Sequence, residues 1–236
     1  MPPGFRFLVD GGEEELIPSD MDISPDLSTL VVPVADSTSD VRLFLIDTSR
    51  QTSQLRDSVY VGTGQYCSRI HPRFNEDGSK IFFQGRWDGS KLLVWDLISD
   101  VVDTLMDMHT LGPFQDLLPQ DTGFLCNYRP IRSYSFNTGL LMSGLPGTED
   151  KARHIEVNPV YGEYAVCWGS PFDTAVTLYN LNDFSWKTKG ISPYLNAGEI
   201  RELSWSPDGM SVVFICLGGH PHDFEVWIYR NIKDFF

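Results

Sequence analysis

A tight-turn motif followed by a β-rich apolar run recurs along this chain at intervals of 40 to 51 residues. The strong copies are Ser24-Pro25-Asp26-Leu27, Asn75-Glu76-Asp77-Gly78 and Ser206-Pro207-Asp208-Gly209. Between them they use every turn device: Pro presets φ, Asp or Asn bonds back to the main chain, and Gly accepts positive φ. The runs that follow are Leu30-Val31-Val32, Ile81-Phe82-Phe83 and Val212-Val213-Phe214. Pro72-Arg73-Phe74 and Leu203-Ser204-Trp205 precede the last two and read as short strands. Two looser copies lie between: Leu118-Pro119-Gln120-Asp121-Thr122-Gly123 before Phe124-Leu125-Cys126, and Asn158-Pro159-Val160-Tyr161-Gly162 before Tyr164-Ala165-Val166-Cys167.

A second marker keeps step with the first. With Pro25, Glu76, Pro119, Pro159 and Pro207 as anchors the spacings are 51, 43, 40 and 48 residues. A further strand ends in Asp or Asn in four units: Phe44-Leu45-Ile46-Asp47, Leu93-Val94-Trp95-Asp96, Tyr134-Ser135-Phe136-Asn137 and Thr177-Leu178-Tyr179-Asn180. Those ends lie 49, 41 and 43 residues apart. The fifth unit offers Val226-Trp227-Ile228-Tyr229 in the same role. A fourth strand follows the marker, as at Val101-Val102-Asp103-Thr104-Leu105. No long stretch has helical periodicity, and 15 prolines and 20 glycines punctuate the chain.

Four strands repeating every forty-odd residues predict an all-β chain, a β-propeller of about five four-stranded blades. A β-sandwich is the competing all-β arrangement, but nothing in it requires two markers to recur together. Residues 20–236 are expected to form one domain, and residues 1–19 to supply N-terminal strands that complete a blade. Phe5-Arg6-Phe7-Leu8-Val9, ending at Asp10, reads as a third strand, and Glu13-Glu14-Glu15-Leu16-Ile17 as a fourth. The fifth unit holds three strands, so the expectation is either closure by an N-terminal strand or an incomplete, open ring. An open arc exposes sheet edges, which invites self-association.

The segments Phe74-Asn75-Glu76-Asp77-Gly78-Ser79-Lys80-Ile81-Phe82-Phe83 and Trp205-Ser206-Pro207-Asp208-Gly209-Met210-Ser211-Val212-Val213-Phe214 resemble the blade motif of TolB-type, WD40-like propellers. The resemblance covers residues 20–236, closely in three units and loosely in two. It implies the fold and is nearly silent on function. Trp95-Asp96 is similar to a true WD repeat, but one unit alone has it and no Gly-His partner lies upstream.

Composition narrows the partners. The 236 residues are 42% apolar and 21% charged, which is ordinary globular material. With 18 basic against 32 acidic side chains the net charge is −14, which repels a phosphate backbone or an anionic membrane and suits a basic protein or peptide. No run approaches the ~20 apolar residues of a membrane span. Met1-Pro2-Pro3-Gly4-Phe5-Arg6 does not read as a secretory signal. Cys67, Cys126, Cys167 and Cys216 form no CxxC pair. A reducing, cytoplasmic setting is therefore expected.

The candidate sites are sparse. There is no phosphate loop, HExxH or GxSxG motif, and nothing calls for an organic cofactor. His71 and His154 each lie five residues before their anchors, near the axial channel, and Glu202 holds that place in the fifth unit. Imidazoles and carboxylates at equivalent inward positions can hold a divalent metal. The unit His71-Pro72-Arg73-Phe74 is similar to that of propeller lyases acting on oligogalacturonates, which implies a metal site at His71 and His154. Repetition alone also places two histidines in step, in structural roles. His109 is less regularly placed, and His220-Pro221-His222 reads as an exposed loop. Cys126, Cys167 and Cys216 fall seven to nine residues past their anchors, in second strands, as small buried apolar groups do. Arg86, Trp87 and Asp88 at a hairpin have the composition of a binding surface. Two functions are carried forward: a non-catalytic interaction module for a protein or peptide, and a carbohydrate-active propeller enzyme with a metal in the channel.

Overall fold

The computed structural model describes residues 21–35, 40–49, 54–63, 70–85, 91–127, 130–145, 152–162, 164–169, 175–183, 185–190, 200–206, 208–217 and 224–230. These form five antiparallel sheets, one per repeat. The first holds β1 (Asp22–Ile23), β2 (Thr29–Ala35), β3 (Asp40–Asp47) and β4 (Gln54–Thr63). The second holds β5 (Arg73–Phe74), β6 (Lys80–Gly85), β7 (Lys91–Asp96) and β8 (Val101–Asp107). The third holds β9 (Phe114–Leu117), β10 (Gly123–Cys126), β11 (Arg132–Ser135) and β12 (Leu141–Gly144). The fourth holds β13 (Ala152–Val157), β14 (Tyr164–Gly169), β15 (Ala175–Asn180) and β16 (Trp186–Gly190). The fifth has β17 (Ile200–Trp205), β18 (Ser211–Leu217) and β19 (Phe224–Arg230). Each sheet pairs its strands in chain order, so each is a simple meander.

Stacking of the sheets explains why the strands read as unbroken apolar runs instead of alternating ones. In the second blade Ile81, Phe83, Leu93 and Trp95 pack toward the first blade, against Val31, Val41, Leu43, Leu45 and Val61. The intervening Phe82 and Leu92 point the other way, into Phe114, Leu117, Phe124, Cys126 and Tyr134 of the third. A strand with period-two geometry buried on both faces needs an apolar residue at nearly every position. Each full burial of a large apolar side chain contributes ~1.5–3 kcal/mol. The third and fourth blades share a smaller core around Leu125, Ile131, Ile155 and Tyr179. The first strands are the innermost ones: β1 lies beside β5, β9 beside β13, and β13 beside β17.

The turn motif is held by its own side chains. Asp26 accepts from the Ser24 hydroxyl at 2.6 Å and the Ser28 N–H at 3.0 Å, while the Ser24 hydroxyl oxygen accepts from Thr29 N–H at 2.9 Å. Asp208, Ser206 and Ser211 repeat this arrangement in the fifth blade. In the second blade Asn75 replaces the serine, accepting from Lys80 N–H and donating to Asp77, both at 2.8 Å. These hydrogen bonds hold exposed carboxylates below their ordinary range; the Ser24 hydroxyl, then Ser28, brings Asp26 to about 2. Gly78 and Gly209 close their turns at φ 73° and 65°, and the equivalent residue of the first blade, Leu27, sits at φ 61°.

The third unit departs from the expected pattern. Its third strand stops at Ser135, so Phe136 and Asn137 lie in the turn instead of ending the strand. The cause is packing: the Phe136 ring stacks on Phe82 at 5.2 Å and meets Phe124 at 5.3 Å, drawing the turn toward the interface of the second and third blades. Among the described residues no strand pairs with the far side of β19, and no strand pairing closes the five sheets into a ring. The segments 5–10 and 13–17, expected to supply strands, lie outside the described residues. No helix among the described residues is long and apolar enough to cross a membrane.

Candidate functional site at the inner strands

One position of the repeat carries the chain's most unusual chemistry. Three residues before each anchor stand Asp22, Arg73, Asp116, Glu156 and Ser204, on β1, β5, β9, β13 and β17. Where this residue is acidic, one carboxylate oxygen reaches across to the next described inner strand. Asp22 Oδ2 accepts the Phe74 N–H at 2.7 Å, Asp116 Oδ2 the Val157 N–H at 2.7 Å, and Glu156 Oε2 the Trp205 N–H at 3.2 Å. Each bond satisfies a main-chain donor that a two- to six-residue strand at the sheet's inner edge leaves exposed. The three bonds act as a belt from blade to blade.

Arg73 interrupts the belt, since a guanidinium cannot accept a hydrogen bond. The Leu117 N–H, which a carboxylate at position 73 would have served, is capped instead by Asp116 Oδ1 at 2.8 Å. Arg73 itself is 6% exposed and turns toward the acids. Its Nε lies 3.4 Å from Asp116 Oδ1 and its Nη2 3.7 Å from Glu156 Oε1, while Nη1 donates to the Pro72 carbonyl at 2.9 Å. One cation thus serves two anions from two further blades. Burial raises the Asp116 carboxyl to about 7, against the pull of Arg73 and with a push from Glu156.

His71 and His154 lie two residues before Arg73 and Glu156 in the chain, and the side chain of His154 lies outside the described residues. His71 is half-buried just ahead of β5. His154 lies within β13, where its backbone faces Trp168 of β14. The third blade separates them, and its equivalent residue is the fully buried Phe114. Among the described residues no three His, Cys, Asp or Glu side chains form a metal-holding group. Asp116 and Glu156 are the acids of this region with ligand chemistry, and Arg73 already occupies the space between them, where its charge opposes a divalent ion. Glu202 is on β17, and Arg86, Trp87 and Asp88 lie outside the described residues. His109 is exposed in the turn after β8, its N–H donating to Asp107. Cys126, Cys167 and Cys216 fall on the second strands β10, β14 and β18 as expected, and burial pushes the Cys126 thiol up, which makes it inert.

No family model and no curated protein matches the sequence. Solved structures do match. TolB from Acinetobacter baumannii superposes with a TM-score of 0.66 at 17% identity, over 91% of this chain and 51% of that one. The putative TolB from Agrobacterium tumefaciens gives 0.67 at 15% identity, over 92% and 78%. The fold is that of a TolB-type β-propeller. U3-55K also matches, at 0.61 and 13% identity over 93% and 66%, as does the hydrazine synthase of Kuenenia stuttgartiensis, at 0.58 and 14% over 95% and 66%. The chain spans about half the length of the Acinetobacter TolB it matches. An enzyme appears among the neighbours, and at these identities the likeness is one of fold alone.

Proposed function

We propose that this chain is a non-catalytic propeller module that binds a protein or peptide partner. The observation that carries the reading is an exposed apolar run at the turn into β12. Leu140, Leu141 and Met142 are 68, 53 and 58% exposed, three consecutive large apolar side chains that belong to none of the buried clusters among the described residues. Contiguous apolar surface on an otherwise acidic chain marks a place for a partner. The net charge of −14 favours a partner with basic residues around an apolar centre. The inner strands fit the same reading: Asp22, Asp116 and Glu156 are each engaged in holding the main chain of the following inner strand.

The test offers one library of basic, apolar-centred peptides to the wild type and to a Leu140→Ser, Leu141→Ser, Met142→Ser variant of equal circular dichroism. Peptides bound saturably by the wild type should lose about tenfold or more in affinity to the variant, the cost of removing a central apolar contact. Equal affinity for both proteins would overturn this placement of the interface. A stoichiometric divalent metal lost in a His71→Ala, His154→Ala variant, with cleavage of an acidic oligosaccharide, would replace the reading by the carbohydrate-active one.

A further inference from the structure

The Arg73–Asp116–Glu156 cluster has an odd charge count for a site so buried. Two carboxylates face one guanidinium, so with every group ionised the cluster carries a net −1. Asp116 is the more buried of the two acids, its side chain 12% exposed against 15% for Glu156, and the Leu117 and Val157 N–H groups on its two oxygens only partly offset the loss of water. An uncompensated charge in such a place is relieved most cheaply by binding a proton. We propose that Asp116, clamped with Glu156 around Arg73, is a proton-operated catch joining the inner strands of the second, third and fourth blades. It is closed when one proton is bound, leaving the cluster neutral, and weakened when that proton leaves.

The groups facing Asp116 are few. From β5 comes Arg73, which favours ionisation; from β13 comes Glu156, which opposes it. From β10 the residue opposite Asp116 is the apolar, buried Leu125, and the strand's one titratable side chain, Cys126, lies opposite Phe114. On β9 itself the neighbour is the neutral, buried Gln115. Asp22 on β1 is engaged with Phe74 of β5, one residue from Arg73, and the half-buried His71 lies two residues from it. Desolvation, helped by Glu156, outweighs the cation and the Val157 and Leu117 N–H bonds, and the carboxyl is pushed up to about 7. The unfolded chain has the ordinary Asp value of about 4, so between about 4 and 7 the folded protein holds a proton that the unfolded one lacks. The stability that this contributes is complete below about pH 4 and is lost as pH rises through about 7, the reverse of a carboxylate in a simple ion pair.

Carboxyl-carbon NMR of the aspartate-labelled protein tests the catch directly. One aspartate should titrate near pH 7, well above the ordinary aspartate value of about 4. That resonance should be missing in Asp116→Asn, and its midpoint should move to lower pH in Glu156→Gln, where the neighbouring negative charge is gone. Denaturation midpoints of the wild type should fall between about pH 4.5 and 7.5 and level off above that, with a flatter slope in Asp116→Asn. If Asp116→Asn does not fold, the wild-type titration and the Glu156→Gln shift still decide. An aspartate spectrum that has fully titrated below pH 5, or a neutral-pH midpoint unmoved by Glu156→Gln, would overturn the proposal.

Discussion

Asn158 is the side chain on which attachment of the fifth blade should depend most visibly. It is 3% exposed and makes three hydrogen bonds. Its Oδ1 accepts the Val160 and Tyr161 N–H groups at 2.9 and 2.7 Å, and its Nδ2 donates to the Gly209 carbonyl of the next blade at 2.9 Å. A net hydrogen bond contributes about 1 kcal/mol, and two of these share one acceptor at a turn that water reaches once the amide is gone. Asn158→Ala should therefore cost about 2–3 kcal/mol in all, of which about 1 kcal/mol belongs to the bond between blades. Asn158→Asp separates the parts: it keeps the acceptor for both N–H groups but turns the donor into an oxygen facing the Gly209 carbonyl. It should lose about 1–2 kcal/mol, nearly all from the junction. Stacked repeats are coupled to their neighbours, so the loss should be local. Hydrogen exchange by mass spectrometry should show faster exchange in 211–217 and 224–230 in both variants, with 80–85 and 91–96 unchanged. Equal acceleration in the second and fifth blades, or a loss below about 0.5 kcal/mol in Asn158→Ala, would refute the assignment of Asn158 to the junction.

Three further outcomes follow from named contacts. Leu27 holds φ 61° where the second and fifth turns have Gly78 and Gly209, and Leu27→Gly should stabilise by about 0.5–1 kcal/mol in chemical denaturation, relief of the left-handed strain exceeding the added chain entropy. Arg73→Met strands two buried acids and should cost about 3–5 kcal/mol at pH 8, shrinking at pH 5.5 as Asp116 takes a proton; a pH-independent loss would contradict the charge account. Asp26 is held at about 2 by Ser24 and Ser28, so its contribution is present above about pH 4 and lost as pH falls toward 2. Asp26→Asn should flatten that acid limb in a pH-dependent unfolding series and leave the neutral range alone.

The blades were legible because their signals are local. The anchors Pro25, Glu76, Pro119, Pro159 and Pro207 mark turns whose chemistry is written in four residues, and the strands behind them are β-branched and aromatic. The third strand of the third blade was misread because Phe136 carries strand character, and its capture by Phe82 is a contact between residues of different blades. The inner cluster was written in the same alignment that singled out His71 and His154: two places further on stand Arg73 and Glu156, with Asp116 at the matching place. Histidine draws attention as a metal ligand, whereas single acids in short strands read as solvated. Their importance arises only when three blades converge and water is excluded. Charge arithmetic down that column, two acids around one arginine, was the available signal.

The carboxylate belt also gives the array a direction. In all three described bonds the acid serves a main-chain N–H of a later blade, so the blades join head to tail like links with a hook on one end. Such a heterologous joint sets which blade can follow which. A copy of the fourth blade placed after the first would receive the bond from Asp22, but placed after the second it would meet the arginine. At the fifth position the hook is the exposed Ser204, too short to span the gap that Glu156 bridges. A sixth blade grafted after the fifth would dock more firmly behind an acid at 204 than behind the serine, and the number of blades that such arrays carry becomes a property that one side chain per repeat can tune.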